Sequence, residues 1–288
     1  MKSKRKRLIL ELIFHLSSRE ASFRNQGINY MITRNIGPFE CLAGNWPPVS
    51  SKPIVLFIHG ASLSKGLWKA QIEGLSDVSN PVSLDLPGHG RSADKGKDNI
   101  ADYARAVLHF IREAGFLREN IVLCGMSMGG AIVQQLLIEH PDDFKAGILI
   151  NTGARLKVLP AIFESIKKDF NQFIHSIPAI SLSPQTDRAG FEKQIIEFSS
   201  QCDAETACQD FTACNRFDVM EKISSIACPV LVCSAEHDIT TPPKYGAWLK
   251  EHLPHADYVQ IANAAHLSMV EKSDDVNRAI REFLQKLA

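Results

Sequence analysis

Neither sign of charge dominates this chain: its 288 residues carry 32 lysines and arginines against 32 aspartates and glutamates. Without a net field, nothing draws the molecule as a whole to nucleic acid or to an anionic membrane. Cysteines are few and poorly spaced for a structural role. The seven lie at 41, 124, 202, 208, 214, 228 and 233. An odd, scattered set is no disulfide framework, and the steps from Cys202 to Cys208 to Cys214 match no common zinc spacing. They read as reduced thiols of a cytoplasmic protein, and no metal site is expected. Internal repeats and low-complexity tracts are missing as well.

A long apolar run is also lacking. The stretch MKSKRKRLILELIFHLSS imitates an export signal, with its basic start and the apolar LILELIF. Glu11 and His15 interrupt it, no small-x-small cleavage site follows, and it is too short to span a bilayer. Leu8, Ile9, Leu12, Ile13 and Leu16 share one helical face instead. Residues 1–24 are therefore expected to form an amphipathic helix that packs on the protein, on a neighbour or on a membrane surface. Stable membrane insertion is not expected; export, peripheral membrane association and a homodimer stay open.

What the chain does have is a rhythm of short apolar runs between amphipathic segments. The runs are Ile54 to Ile58, Pro81 to Leu84, Ile121 to Cys124, Gly147 to Ile150, Pro229 to Cys233 and Tyr258 to Ile261. Continuous apolar runs of this length suit strands buried on both faces, with the amphipathic segments as crossover helices. The fold class is α/β, a mostly parallel doubly wound sheet. Stretches around Ile28 to Ile32 and Phe39 to Leu42 are expected to add antiparallel edge strands. The rhythm breaks once, after Ile150, where residues 154–212 read as helices without a strand. They are expected to form a helical cap inserted into a core made of residues 25–153 and 213–288. Most of its aromatic residues, among them Phe163, Phe170, Phe173, Phe191, Phe198 and Phe211, should form the cap's own core. A few should line a pocket beneath it.

Chemistry enters at IVLCGMSMGGAIVQQLL, residues 121 to 137. A strand-like run leads almost directly into a helix-like one, with Ser127 on the turn between them. Gly125, Gly129 and Gly130 remove the bulk that would prevent so sharp a turn. A serine fenced in this way between strand and helix has the G-x-S-x-G context of a nucleophile elbow. Because a serine is a weak nucleophile at neutral pH, it needs a base and a group to orient that base.

Active-site loops follow the carboxyl ends of parallel strands. After PVLVCS comes AEHDITTPP, which holds Asp238; after the last apolar run comes NAAHLSMVEK, which holds His266. Glu236 and Asp218 compete with Asp238 for the role of acid. His59 and His89 lie in turns that explain them locally, His237 adjoins the acid and should point elsewhere, and His255 is a further competitor. The catalytic set is thus Ser127, Asp238 and His266. Two backbone N–H groups should stabilise the oxyanion, each worth roughly 3 kcal/mol. One belongs to Met128; the other comes from HGASLSKGLW, with Ala61 first and Ser62 second. Ser62, Leu63, Met126, Phe163, Phe170 and Phe173 are the candidate pocket residues.

The stretches IVLFIHGAS, SLDLPGHGRS, GMSMGGAIVQQLL, AEHDITTP and AAHLSMVEK resemble, in order and spacing, those of α/β-hydrolase-fold enzymes of the serine esterase branch. They cover most of residues 36–153 and 213–288; the cap carries no such signature. Two small departures are Ala265, where glycine often precedes the histidine, and Ser234-Ala235, where glycine is frequent. The resemblance implies that Asp85 and Gly88 to Ser92 shape a structural loop and that His59 supports the oxyanion turn. It also implies a cofactor-free serine hydrolase acting on esters of small or medium acyl groups. Carbon–carbon bond hydrolysis, lactonase and perhydrolase activities use the same triad and stay open, as does a hydrolase-fold receptor. An aspartate-dependent epoxide hydrolase or dehalogenase is excluded by Ser127.

Overall fold

The computed structural model describes residues 31–287; the helix expected over residues 1–24 lies outside them. Eight strands form one sheet in the order β1-β2-β4-β3-β5-β6-β7-β8. They are β1 (Ile32–Ile36), β2 (Phe39–Ala43), β3 (Ile54–Ile58), β4 (Asn80–Leu84), β5 (Ile121–Met126), β6 (Ala146–Ile150), β7 (Val230–Ala235) and β8 (Ala256–Ile261). The first two run antiparallel at one edge, and the pairs from β4 to β8 are all parallel.

Alternation along β3 explains the two layers of helix. Ile54, Leu56 and Ile58 enter the core on one face of the sheet, Val55 and Phe57 the core on the other. Successive strand side chains point to opposite faces, so a strand apolar at every position requires cover on both. One face receives α2 (Ile100–Glu113), α3 (Met128–Glu139) and α8 (Pro243–His252), through residues such as Val107, Ile132 and Leu249. The other receives α1 (Lys69–Leu75) and α10 (Ser273–Lys286), through Leu75, Ile280 and Phe283. The short α9 (Ser268–Glu271) precedes α10.

One sequence expectation needs correcting, at the last strand. Of the edge strand expected around Ile28 to Ile32, residues 28–30 lie outside the described residues; the described strand β1 runs from Ile32 to Ile36, and Ile36 pairs with Phe39 across a two-residue turn that begins at Gly37, whose φ is +54°. Only a residue tolerant of positive φ suits that position, so the turn sets the register. The final strand is not buried on both faces; Asp257, Tyr258, Val259 and Gln260 of β8 are partly or fully exposed, as befits a sheet edge.

Four α-helices and no strand separate β6 from β7: α4 (Pro160–Lys168), α5 (Phe170–Ser181), α6 (Arg188–Ser199) and α7 (Ala204–Arg216). Asp169, Asp187 and Asp203 cap the last three by accepting backbone N–H groups of their first turns, the role short acidic side chains fill best. The aromatic residues of this insertion do not form a separate core. Phe173, Ile177 and Phe198 join Phe57, Trp68 and Leu63 in the same apolar cluster as the sheet face. Among the described residues, no helix is long and apolar enough to cross a membrane.

Candidate active site

The turn between β5 and α3 holds Ser127 at φ +51° and ψ −117°. A non-glycine residue in such a conformation costs of order 1–3 kcal/mol and persists only where its surroundings impose it. Here they do. The Ser127 N–H is shared between the carbonyls of Ile150 and Asn151 at 3.1 and 3.2 Å. A Cβ on Gly125 would overlap the backbone of Gly129, one on Gly129 would overlap the carbonyl of Ile58, and one on Gly130 would meet Thr152 Cγ2 at 2.6 Å. The three glycines let helix α3 press against both β5 and the end of β3. Ser127 occupies the N-cap of α3 but accepts no capping bond. The first N–H groups of a helix lack intrahelical partners and favour negative charge.

His266 and Asp238 are brought together from loops after β8 and β7. His266 Nδ1 lies 2.8 Å from Asp238 Oδ2. The other carboxylate oxygen accepts the N–H groups of Thr240 and Thr241 at 2.8 and 2.9 Å, and the Thr241 hydroxyl donates to Oδ2 at 2.8 Å. Burial alone would raise the Asp238 pKa, but the His266 ring and these donors hold its carboxyl below the ordinary value. Nδ1 of His266 is thereby committed to the acid, which fixes the proton there and leaves Nε2 as the basic nitrogen. The competing acids are engaged elsewhere: Glu236 accepts the Asn263 N–H, and Asp218 pairs with Arg155 in the open. His237 turns to the Ser183 hydroxyl at 2.8 Å, and His255 is exposed.

Asn151, absent from the sequence reading, links the two halves of the site. Its carbonyl accepts the Ser127 N–H, while its side-chain amide donates to the carbonyls of Ala265 and His266 and to the Ser268 hydroxyl. Thr241 was missed too, although D-x-x-T within AEHDITTPP is a recognisable side-chain turn. Nothing local marks Asn151, a polar residue after a buried strand like many others.

The turn after β3 lies beside the elbow. A Cβ on Gly60 would come within 3.3 Å of Ser127 Cβ and 2.5 Å of Met126 Sδ. Ala61 N–H has no acceptor among the described residues, whereas Ser62 N–H is taken by Asp210 Oδ2 at 2.8 Å. Of the two candidates on this turn, Ala61 is the one with a free donor. His59 braces the turn, with Nδ1 2.8 Å from Gly60 O, while its Nε2 accepts the Leu86 N–H at 3.1 Å. Asp85 is buried and bonded to Lys65, and Ser92 hydroxyl donates to the Asp85 carbonyl.

The expected pocket residues fall into different surroundings. Leu63 and Met126 are buried in the apolar cluster next to the elbow, and Ser62 is buried with its hydroxyl 3.5 Å from Cys202 Sγ. Phe173 stacks with Phe170 and meets Phe211 edge-on, at centroid distances of 6.2 and 5.9 Å. Phe163 is half-buried on α4. No group of three or more His, Cys, Asp or Glu side chains among the described residues is placed to hold a metal ion.

A family model for the alpha/beta hydrolase family matches residues 55–279. The chain is 23% identical over 230 residues to a pimeloyl-(acyl-carrier protein) methyl ester esterase of Nitrosomonas europaea, covering 74% of this chain and 88% of the relative. It is 25% identical over 245 residues to 3-oxoadipate enol-lactonase 2 of Acinetobacter baylyi, covering 82% and 90%. The crystal structure of the enol-lactonase from Burkholderia xenovorans has a TM-score of 0.78 at 21% identity, over 88% of this chain and 100% of that one, a likeness of fold. The elbow turn, the parallel sheet that carries it and the family model agree, and the chain belongs to the alpha/beta hydrolase family.

Proposed function

We propose that the protein is a serine hydrolase that cleaves carboxylic esters of small or medium acyl groups through an acyl-enzyme. The observation that carries this reading is the Ser127 turn at φ +51° over the unpaired N–H groups of α3, tied through Asn151 to a histidine already bound to a buried aspartate.

In this reading Ser127 Oγ attacks the ester carbonyl carbon as its proton passes to His266 Nε2. The carbonyl π electrons move to oxygen, and the resulting oxyanion accepts the N–H groups of Met128 and Ala61. Collapse expels the alcohol, which takes the proton from His266. Water then repeats the sequence, giving up a proton to His266 while attacking the acyl carbon, and Ser127 recovers its hydrogen as the acid leaves. Asp238 holds the imidazole in the required tautomer and stabilises its charged form without taking the proton. No cofactor takes part in these steps.

The four-helix insertion would act as a cap that selects the substrate. Two ties to the His266 loop support a seated cap: Leu267 N–H donates to Ser181 O at 3.1 Å, and Glu271 accepts the Ser183 N–H at 2.7 Å. Its aromatic residues favour a pocket of limited length. The similarity to enol-lactonases supports lactone opening as a second reading, since a lactone is a cyclic ester that meets the same nucleophile.

The test is turnover of p-nitrophenyl acetate, butyrate and longer esters, and of a γ-lactone, by the wild type and by Ser127→Ala. Hydrolysis lost in the variant, with a serine-directed phosphonate mapped to Ser127, supports the reading. Binding without turnover would make the protein a receptor on this fold, and kcat/KM rising steadily to long chains would defeat the preference for short acyl groups.

A further inference from the structure

Asp210 lies on α7, fully buried, and the reaction above makes no use of it. A buried carboxylate is costly unless donors surround it, and three do. Oδ2 accepts the Ser62 N–H at 2.8 Å and His89 Nε2–H at 2.9 Å; Oδ1 accepts the Tyr103 hydroxyl. His89 Nδ1 faces the Pro87 carbonyl at 3.0 Å, so both of its nitrogens meet acceptors and the ring carries two protons. Burial opposes that charge, but Asp210 overrides it and holds the His89 pKa well above its usual range. His59, with its ring centroid 4.7 Å from that of His89, is the reverse case. Burial first, and then the charge of His89, push it down to about 3, and it works as a neutral ring.

The consequence falls on two consecutive peptide planes. In a planar trans peptide the C=O and N–H point to opposite edges, so fixing one fixes the other. His59 Nδ1–H holds the carbonyl of the Gly60–Ala61 peptide, which sets the direction of Ala61 N–H. Asp210 holds the N–H of the next peptide, Ala61–Ser62. Ser62 itself sits at φ +56°, a conformation that a non-glycine residue leaves when nothing retains it. The turn that would receive the oxyanion is therefore clamped from the core by His59 and from the helical insertion by Asp210.

We propose that Asp210 is a positioning residue: from the insertion, it pins the Ala61–Ser62 peptide next to the plane that carries Ala61 N–H, so that with His59 holding that plane the turn keeps the conformation that aims Ala61 N–H at the oxyanion, and the chemical step depends on a seated insertion. This rests on the serine hydrolase reading.

The test compares full-length wild type, Asp210→Asn, Asp210→Glu and Tyr103→Phe with p-nitrophenyl butyrate, together with the inhibition constant of phenylboronic acid, which adds to the serine as a tetrahedral anion. Losing one donor to an oxyanion costs about a hundredfold or more in kcat; misaiming one in Asp210→Asn should cost about thirtyfold or more, with KM within threefold. The boronic acid constant should rise by a similar factor. Tyr103→Phe, which strips a donor from the other carboxylate oxygen, should lose melting temperature but keep kcat within threefold. Asp210→Asn with unchanged kcat, or both variants losing kcat in proportion to stability, would overturn the proposal. Should Asp210→Asn fail to fold, Asp210→Glu decides by the same kcat and KM criterion. A wild type that neither turns over esters nor labels at Ser127 would defeat the functional reading itself and this proposal with it; an active wild type with an unaffected Asp210→Asn defeats the proposal alone.

Discussion

Asn151 donates its side-chain amide to the main-chain carbonyl of His266 at 3.0 Å. The same residue accepts the Ser127 N–H, so the candidate nucleophile and base share one brace. Asn151→Ala would strip the donor from two buried carbonyls and put alanine at φ +45°. We expect a stability loss of about 2–4 kcal/mol, read by urea unfolding, and a fall in kcat larger than in KM. Unchanged kcat in a folded variant would show that the brace matters to the fold only.

Asp238→Asn should lower kcat by up to about 10⁴, the loss known for the same change in a serine protease triad, because the amide permits the wrong tautomer of His266. Glu236→Gln and Asp218→Asn should stay near wild type, since their partners are Asn263 N–H and Arg155. Steady-state kinetics of the three variants decide it. Activity surviving in Asp238→Asn but lost in Asp218→Asn would move the acid to the earlier loop.

Gly129→Ala should be destructive and Gly190→Ala harmless. A methyl at 129 would strike the carbonyls of Ile58 and His59, forcing α3 away from the turn after β3, whereas 190 has nothing within 4 Å. Gly190 lies in helix α6, where alanine is favoured by up to about 1 kcal/mol. Thermal melts should therefore shift in opposite directions, with kcat falling only for the first.

The two buried histidines give opposite pH signatures. His59 has its pKa pushed from 6.5 to about 3, so between those values the unfolded chain binds a proton that the folded one refuses. Its stabilising effect is present above pH 6.5 and is lost as pH falls, by up to ~1.4 kcal/mol per unit. For His89 the shift is upward, so its contribution is complete below 6.5 and lost as pH rises through the folded value. Unfolding of wild type and His59→Asn should converge as pH drops from 7 toward 4.5. A gap that stays constant would mean that His59 titrates alike in both states.

Much of this site was legible along the chain because its parts are local. Strand β5, Ser127 and helix α3 occupy residues 121–139, and apolar continuity together with glycine spacing specifies all three. Buried parallel strands announce themselves in the same way, since a strand covered on both faces leaves no polar position to hide it. Asp238 and His266 could be named from chain order relative to those strands.

Tertiary structure decided everything that depends on distant partners. His89 reads as one more turn residue until Asp210, 121 positions away, supplies the carboxylate that keeps it charged. Sequence ranks Ala61 above Ser62 as a donor only by its smaller side chain; the same carboxylate, arriving from a helix in the insertion, occupies Ser62 N–H and leaves Ala61 free. Asn151 gains its role only when the loop carrying His266 folds back over β6. A local pattern records what the backbone must do next, through sterics and the burial of one face. It cannot record which buried charge or amide will meet it from far along the chain, because that pairing is selected only when packing removes water and leaves one partner within reach.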